Sequence, residues 1–308
     1  MPKALCCINL ILLLALGSCL NVCGDSGDGG DAGAFLKNGI GVRPISMGKA
    51  FVAVADDSSA GYWNPAGLAT LKNAQLSLMY SNPMNYGIIS GVGVKDIGYH
   101  TFSMAYPTRF GSVGLNMAYL SVGDIYVVKD ATGQTGEKFE DKELGVIASY
   151  ARRITNEIQL GLNLKFVRQS IWDKYGSGIG SDLGMLYKSF YNFTLGVTLQ
   201  DLIKPDITLL KAVNSPPRKL RLGGSYKLMD DRVLLAVGID KAGGRSAKFH
   251  FGAEARPLKD MAFRAGYTTD TGEMSAGVGF RVSLIQLDYG FGFLSQGSTH
   301  RVSFTTIF

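Results

Sequence analysis

Few side chains in the sequence have the types and spacing that catalysis requires. Ser46 and Lys49 match the Ser-x-x-Lys pattern of serine acyl enzymes, but no Ser-Asp-Asn or Lys-Thr-Gly segment accompanies them. The glycine-rich run 176–181 looks like a phosphate-binding loop, yet it leads into a strand-like segment and not into a helix, so we interpret it as an ordinary loop. These patterns predict a protein that is not an enzyme and holds no cofactor.

The residues that usually bind metals or form disulfides are also poorly placed for these roles. The histidines stand alone in the chain, without the short spacings of zinc ligands. All of the cysteines lie within or beside an apolar amino-terminal segment, which excludes disulfides and zinc-thiolate sites from the remainder of the chain. We therefore predict no metal site. The residues concerned are His100, His250 and His300, and Cys6, Cys7, Cys19 and Cys23.

Residues 1–24 have the features of a secretion signal. Lys3 precedes an apolar run, 4–20, that is too short and too poorly flanked for a spanning helix. Two cleavage sites are compatible with this segment. The run 16–19 has the form of a bacterial lipobox, which would leave an acylated Cys19 at the new amino terminus, whereas Val22–Gly24 suits an ordinary signal peptidase. Residues 25–34 then form a Gly/Asp-rich tether.

The composition separates this chain from ordinary soluble domains. Only 18% of its 308 residues are charged, and it contains 40 glycines, whereas soluble domains have roughly 25% charged residues and about 7% glycine. The net charge of +6 raises the question of nucleic-acid binding. However, the lysines and arginines are spread singly among aspartates and glutamates, so we predict no nucleic-acid partner.

From residue 73 onward, apolar and polar residues alternate with the period of a β-strand. Leu160, Leu162 and Leu164, for example, alternate with glycine, asparagine and lysine. The segments are about 9–11 residues long, the length that a tilted strand needs to cross a bilayer, while soluble strands are nearer 5–6. An apolar face opposite a polar one is typical of a barrel wall with lipid outside and a polar lumen. We predict an all-β transmembrane barrel over residues 73–308; a soluble β-sandwich, whose half-buried strands also alternate, is the alternative.

The connections between these segments predict how the barrel is oriented. We count about fourteen strands, and the turns after the even strands are tight, as at 107–111 and 229–232. The connections after the odd strands are mostly longer, as at 82–98 and 122–142. Outer-membrane barrels have short periplasmic turns and longer extracellular loops, so both ends of the barrel domain are expected in the periplasm.

Residues 54–71 depart from the strand pattern and include residues that are typical of the start of a helix. Asn64 is a good N-cap, and Pro65 follows at the first helical position, where its missing N–H costs nothing. A barrel of about fourteen strands has a lumen wide enough to leak. We therefore predict that residues 35–72 form a hatch inside the lumen; a periplasmic lead-in helix outside the barrel is the alternative. Small residues that let its backbone approach the wall are Ala53, Ala55, Ser58, Ser59, Ala60, Gly61, Ala66, Gly67 and Ala69.

The carboxyl terminus supports the barrel prediction. The sequence ends on Phe308, with Phe304 and Val302 on the same face of the last segment. A terminal aromatic residue on the lipid side of a closing strand resembles the signal that barrel-assembly machinery reads. We therefore predict that machinery as a partner; a soluble edge strand that ends in phenylalanine is the alternative.

The segment Gly39–Leu71 resembles the amino-terminal signature of the FadL-type outer-membrane proteins, and most of all the branch with PorV-like proteins and uncharacterised spirochaete relatives. The Asn-Pro-Ala-Gly run is its sharpest part. The resemblance implies an integral protein of the bacterial outer membrane, with outer-membrane lipid around a fourteen-strand barrel. It also implies uptake of a hydrophobic ligand such as a long-chain fatty acid, and a hatch or gating motif at Asn64, Pro65, Ala66 and Gly67.

Two functions remain open from the sequence. The first is passive uptake of hydrophobic small molecules, which predicts an apolar pocket between the outer loops and the hatch. The second is a PorV-like scaffold or shuttle for a protein secretion system, which predicts a filled lumen and an important exposed loop surface. The chain is shorter than the transporters and has modest loops, which leaves room for the second function. A general water-filled porin is disfavoured by the predicted hatch.

Overall fold

A computed structural model describes residues 31–85, 97–130, 133–189, 191–209, 213–294 and 297–308. The predicted signal segment, Cys19 and most of the predicted tether lie outside these ranges. Within them, fourteen antiparallel strands close a barrel in which the first strand pairs with the last. The predicted all-β transmembrane barrel of about fourteen strands is therefore confirmed.

The strands follow one another around the wall in chain order. Two short strands, β8 and β9, form a separate ribbon between β7 and β10. The strand bounds are β1 Gln75–Asn85, β2 Ile97–Thr108, β3 Gly111–Asp130, β4 Gly133–Arg153, β5 Ile158–Ile171, β6 Lys174–Lys188, β7 Phe193–Ile203, β8 Ile207–Thr208, β9 Val213–Asn214, β10 Lys219–Leu228, β11 Val233–Ala242, β12 Lys248–Leu258, β13 Met261–Thr268, β14 Met274–Val282, β15 Ile285–Leu294 and β16 Gly297–Ile307.

Side chains alternate between the two faces of the wall. In β5, Leu162 and Leu164 are 50% and 60% exposed on the outer surface, while Asn163 and Lys165 point into the lumen and are 1% and 5% exposed. Because every strand of a closed barrel pairs on both sides, no backbone ladder is left open to hydrocarbon. The wall is thus apolar outside and polar inside. Other exposed apolar residues include Leu78, Phe166, Leu195, Leu235, Val237, Phe251, Phe263 and Leu287.

At one end of the barrel every connection is tight, whereas at the other end the lengths vary, and the connection after β5 contains only two residues. The prediction that connections after the odd strands are longer therefore does not hold after β5. The connections that follow β2, β4, β6, β10, β12 and β14 contain two to four residues. The start of β1 and the end of β16 meet at the same end, where Gln75 pairs with Ile307. We call this end the periplasmic end and the opposite one the outer end, following the loop pattern of outer-membrane barrels.

One side of the outer end is taller than the sequence predicts. β3 and β4 contain 20 and 21 residues, and their pairing continues to Asp130 opposite Gly133. Among the described residues, pairing with the flanking strands stops at Val122 and Asp141, and beyond these positions β3 and β4 pair with each other as a projecting hairpin. The prediction of a loop at 122–142 was wrong. The register of this hairpin shifts at three points, so its sequence lacks the regular alternation that marks the wall.

The predicted luminal hatch is confirmed, and it supplies most of the large buried side chains. It contains two 3₁₀ helices, η1 (Ala34–Asn38) and η2 (Pro65–Thr70), and two short α-helices, α1 (Val42–Ser46) and α2 (Ala60–Trp63). No helix among the described residues is long and apolar enough to span a membrane. Packing begins at Asp31 and Ala32, earlier than the predicted boundary at residue 35. Fully buried hatch residues include Ile40, Ile45, Met47, Phe51, Trp63 and Leu68.

The hatch runs from the outer end of the lumen to the periplasmic end. At its start, the carboxylate of Asp31 accepts two hydrogen bonds from Arg245, which lies in the outer connection between β11 and β12. The chain then follows the inner wall from β15 and β14, past β12 and β7, to β6 and β4. It leaves beside Ala74, whose carbonyl accepts a hydrogen bond from the backbone N–H of Phe308, and continues directly into β1.

Candidate functional site: the hatch and the wall around it

Asn64, the centre of the predicted hatch motif, is completely buried. It caps η2 by accepting a hydrogen bond from the N–H of Ala66 at 3.2 Å, with Pro65 at the first helical position. Its amide nitrogen donates to the carbonyl of Val52 at 2.9 Å and to that of Met185 in β6 at 3.0 Å. One side chain therefore joins two parts of the hatch to each other and to the wall.

The rest of the motif packs where the wall has no side chain. Gly161 of β5 faces the backbone of Pro65 and Ala66, and a Cβ at Gly161 would overlap those atoms. Gly67 lies against the carbonyl of Ala55 within the hatch, where a Cβ would overlap as well. The motif thus combines a buried cap with two positions of close backbone approach. A gating role for these residues stays a prediction.

A ring of inward-facing wall glycines is the feature that sequence reasoning missed. The hatch backbone passes against glycines from one strand to the next, and cross-strand partners are often both glycine, as in Gly161 opposite Gly184 and Gly252 opposite Gly266. The high glycine content was the available signal, but alternation alone could not show which glycines face a plug. Wall glycines whose Cβ would come within 3 Å of hatch atoms are Gly114, Gly145, Gly161, Gly184, Gly196, Gly252, Gly266, Gly277 and Gly290.

The wall holds the hatch on one side through neutral amides; we call the inner face of β3–β7 the amide side. Asn116 of β3 donates to the carbonyl of Ser58 at 2.9 Å, and Asn163 of β5 donates to that of Gly61 at 2.7 Å. Gln200 of β7 donates to Tyr62 at 3.2 Å. These bonds satisfy carbonyls that the short hatch helices leave without an internal partner.

The opposite inner face, β12–β16, holds the hatch through charges, and we call it the ionic side. Arg43 of α1 forms a bidentate pair with Glu254 of β12, at 2.7 and 3.0 Å. Arg264 of β13 donates to the same carboxylate at 2.7 Å and to Asp288 of β15 at 2.6 Å. Arg43 also contacts Asp56 of the hatch at 2.5 Å. Bidentate arginine pairs are geometrically specific, so this network fixes the position of α1.

Burial and pairing shift the titration of the hatch side chains. Burial by itself would raise the pKa of Asp56, but the Arg43 guanidinium outweighs it and holds that pKa below its ordinary value. Burial raises the pKa of Asp57, despite its contact with Arg43. Burial also lowers the pKa of Lys49, whose Nζ donates to the carbonyl of Lys37 at 2.9 Å. The hatch therefore tolerates a charge mainly where a partner of opposite sign is close.

A small cavity lies between the hatch and the outer ends of β5–β7 and β10. Its volume is about 60 Å³. Lys165 lies in it between Asp182 and Asp201, at 2.9 and 2.7 Å. Lys219 of β10 also lines the cavity and forms no ion pair with any described residue. The apolar part of the lining comes from Ala32, Leu36, Ile147, Val167, Pro205, Pro216 and Pro217.

The cavity is covered by the connection between β7 and β10, which folds inward over β6. Asp201 has a left-handed backbone, φ 58°, at a bulge where the register between β6 and β7 shifts. Beyond it, the backbone of 205–208 lies against Gly176, Gly178 and Gly180, and Ile207 is fully buried. The prediction of a loop at 176–181 was therefore wrong, because these glycines belong to β6 and make room for the covering segment.

A second cavity, of about 190 Å³, lies at the periplasmic end between α1 and the wall of β14–β16 and β1. Its lining is polar, with hydroxyl groups such as those of Ser77 and Ser303 and charged groups such as Arg281 and Asp288. An empty cavity of this volume in an apolar core would hold a small hydrocarbon. This lining suits water or polar groups instead.

The other residues that the sequence singled out are separated in space. Ser46 Oγ has no hydrogen-bond partner among the described residues, so it forms no dyad with Lys49. His250 points into the lumen, 3.2 Å from the carbonyl of Gly48, while His100 and His300 face outward beside tyrosines. No group of three potential metal ligands occurs in the described part of the chain.

The carboxyl-terminal aromatic residues face outward. Val302, Phe304 and Phe308 are 50%, 40% and 67% exposed on the lipid side of β16 and at its end. Recognition of these residues by assembly machinery stays a prediction, as does acylation of Cys19, which lies outside the described residues.

The barrel with its hatch matches solved channels and transporters. The CymD monoaromatic hydrocarbon channel is 14% identical, with a TM-score of 0.63 over 88% of this chain and 98% of that chain. The toluene transporter TodX of Pseudomonas putida is 14% identical, with a TM-score of 0.61 over 87% and 97%. A FadL homologue of Pseudomonas aeruginosa is 13% identical, with a TM-score of 0.54 over 87% and 98%. No protein-family model and no curated protein matches the chain.

At these identities the likeness is one of fold. The assignment to the PorV-like and spirochaete branch stays a prediction. This chain has the fold of the hydrocarbon channels and of the FadL homologue: a fourteen-strand barrel whose lumen holds an amino-terminal hatch.

Proposed function

We propose that this protein is an integral barrel of the bacterial outer membrane and admits hydrophobic small molecules passively, in particular amphipathic carboxylates such as long-chain fatty acids. The apolar outer surface supports the membrane location, and the fold shared with hydrocarbon channels supports the ligand class. The observation that carries the proposal is the cavity above the hatch, where an apolar lining meets Lys219.

Lys219 is the feature that favours an acidic ligand over a neutral hydrocarbon. The other charges of the cavity are already paired: Asp31 binds Arg245 and Lys37, and Asp182 and Asp201 bind Lys165. Lys219 has no carboxylate within ion-pairing distance among the described residues. A partly buried ammonium group gains most from a carboxylate that comes with its own apolar tail.

The present cavity is too small for such a ligand. About 60 Å³ is well below the roughly 150 Å³ of a cavity that binds benzene. Entry therefore requires the covering segment after β7 to move away from β6. Binding is expected to be slow compared with diffusion, since the bound state requires this rearrangement.

The test is saturable binding of labelled hexadecanoate and of neutral hexadecanol to the barrel in detergent. We expect Lys219→Met to weaken hexadecanoate binding about tenfold and to leave hexadecanol binding unchanged. Lys142→Met, on the exposed part of β4, is the matched control. If the intact protein bound neither compound, uptake of hydrophobic molecules would be contradicted altogether. If Lys219→Met weakened the binding of hexadecanoate and hexadecanol equally, only the preference for carboxylates would be contradicted.

One observation favours a scaffold as a second candidate function. The projecting hairpin extends beyond its neighbours, and Phe139 stacks on Trp172 beside it, with ring centroids 5.5 Å apart. Exposed two-stranded edges are ready-made sites for partner proteins. Shortening the hairpin between residues 123 and 140 is expected to leave ligand binding unchanged in a transporter, and to abolish partner capture in a scaffold.

A further inference from the structure

The segment that covers the small cavity lies in a groove on the inner face of β6. The floor of this groove is formed by Gly176, Gly178 and Gly180, where the wall has no side chains. A Cβ on any of the three would come within 3 Å of residues 203–208 of the covering segment. The floor extends over four residue steps, which is about 13 Å of strand. The groove is therefore long and narrow, and its shape suits an extended chain.

The groove is lined and filled by apolar groups. Val167 of β5 pairs with the central glycine of the floor and is fully buried. Ile207 of the covering segment is fully buried as well, in an apolar cluster that contains Val167 and Ala32 of the hatch. Pro205 lies against the innermost glycine and lines the small cavity. The covering segment thus supplies the apolar surface that closes the groove.

The covering segment is attached to the groove mainly by this apolar packing. Among the described residues, β8 pairs only with β9, through two residue pairs, and no strand pairing joins β8 to β6. The segment leaves β7 at the bulge where the register with β6 shifts. Moving residues 204–208 out of the groove therefore breaks no ladder of the barrel, and its main cost is lost apolar contact. An alkyl chain that entered the groove would restore this contact.

The inner end of the groove opens onto a cation. Pro205 and Lys219 line the same cavity, and Lys219 has no carboxylate partner among the described residues. The glycine floor and the ammonium group of Lys219 therefore form one site that is charged at its inner end and apolar along its length. A fatty acid has the same arrangement of charge and apolar surface, and it would fit with its carboxylate inward and its tail toward the outer end.

We propose that the groove floored by Gly176, Gly178 and Gly180 binds the alkyl tail of the ligand, and that residues 204–208 occupy it in the empty protein as a displaceable substitute. This site rests on the proposed uptake of amphipathic carboxylates, and it specifies where their apolar part binds. Ligand and covering segment compete for one groove. A change that loosens the segment therefore raises the fraction of open protein, and with it the apparent affinity for the ligand.

The first test measures displacement of the covering segment. Ile207→Cys is introduced into the full-length chain with its four native cysteines replaced by serine, and its reaction with a maleimide is followed in detergent. We expect saturating hexadecanoate to accelerate this reaction about tenfold, because ligand binding shifts the population toward the open segment. Val213→Cys, 63% exposed on β9, is the control and should react equally fast with and without hexadecanoate. Unchanged or slower labelling of Ile207→Cys would overturn the proposal.

The second test alters the groove and measures saturable binding of hexadecanoate and hexadecanol. Gly178→Val fills the floor and should weaken the binding of both compounds about tenfold, since the added side chain takes the space of the tail. Ile207→Ala removes the apolar anchor of the segment and should tighten the binding of both about threefold. Gly224→Val on β10 is the matched control, because a Cβ there would meet nothing closer than 3.7 Å. Its affinities should equal those of the parent.

The outcomes separate this site from the proposed function. If the parent binds both compounds and Gly178→Val binds them equally well, the groove is not the tail site, although uptake stands. If Gly178→Val does not fold, Ile207→Ala decides, and an unchanged or weakened affinity in that variant overturns the proposal. If the parent binds neither compound, the proposed function fails, and the tail site fails with it.

Discussion

The two sides of the hatch are held by different chemistry. On the amide side, Asn116, Asn163 and Gln200 donate single hydrogen bonds to hatch carbonyls. On the ionic side, Arg43 and Arg264 share the carboxylate of Glu254. The amide side contacts the hatch backbone through neutral donors, and its buried cluster of Lys165, Asp182 and Asp201 lies within the wall. The buried cluster of the ionic side includes a hatch residue, Arg43.

Because of this difference, the hatch can be fixed to one side of the wall and released from the other. A neutral hydrogen bond contributes about 1 kcal/mol net, and its loss leaves one unsatisfied carbonyl. A buried ionic cluster contributes little as a whole, because desolvation offsets the attraction, but it fails abruptly when one member is removed. We therefore expect the amide side to act as the permanent anchor and the ionic side to be the one that opens.

The largest effect is expected from Glu254→Gln on the ionic side. The substitution keeps the shape of the side chain but leaves Arg43 and Arg264 without their shared carboxylate. Breaking a buried pair in this way costs about 3–5 kcal/mol. The free energy of unfolding in detergent should fall by that amount, and single-channel conductance should rise as α1 detaches. Glu140→Gln, which breaks an exposed pair with Lys142, should change stability by less than about 0.5 kcal/mol.

The next effect concerns the close approach on the amide side. Gly161→Ala places a Cβ where the backbone of Pro65 and Ala66 lies, and overpacking of this kind costs about 1–3 kcal/mol. Gly224→Ala is the control, because its Cβ would meet nothing closer than 3.7 Å. Limited proteolysis should cut the hatch of the first variant and spare that of the second. Equal resistance in both would show that the wall glycines do not set the fit of the hatch.

A smaller effect separates the two roles of Asn64. Asn64→Ser keeps a side-chain oxygen that can cap η2 but loses the donors to Val52 and Met185, and we expect a loss of about 1–2 kcal/mol. Asn64→Ala loses the cap as well, which adds about 1 kcal/mol. Urea denaturation of the two variants and the parent measures both steps. Identical stability of the two variants would mean that the cap contributes nothing.

The smallest effect is a pH dependence confined to the ionic side. Since the pKa of Asp56 in the folded protein is held below its ordinary value of 3.8, its contribution is present above that value and is lost as the pH falls through the folded pKa. In a conductance titration downward from pH 7, the conductance should therefore rise only as the pH falls through the folded pKa of Asp56, below 3.8. Asp56→Asn should raise conductance at pH 7 and flatten this dependence. The raised pKa of Asp57 acts in the opposite sense, so acid leakage that survives in Asp56→Asn would place the switch elsewhere.

The sequence was sufficient to predict the wall and the presence of a hatch. Half-buried soluble sheets also alternate, but alternation over segments of bilayer length favours lipid on one face and a polar lumen on the other. The consistently tight turns at one end orient the barrel. The cap at Asn64 and Pro65 was equally readable, since a helix start is specified by a few adjacent residues. The projecting hairpin was missed because three register shifts interrupt its alternation.

Only the tertiary structure decided what the lumen-facing residues contact. Arg43 and Glu254 are 211 residues apart in the chain, and nothing local marks them as partners. The same holds for the glycines of the wall, whose role depends on a backbone that arrives from the other end of the domain. The direction of the hatch, from outer mouth to periplasm, was also beyond the sequence. Alternation specifies which face of a strand is polar, but it does not show which segment of the chain fills the lumen or which residues that segment contacts.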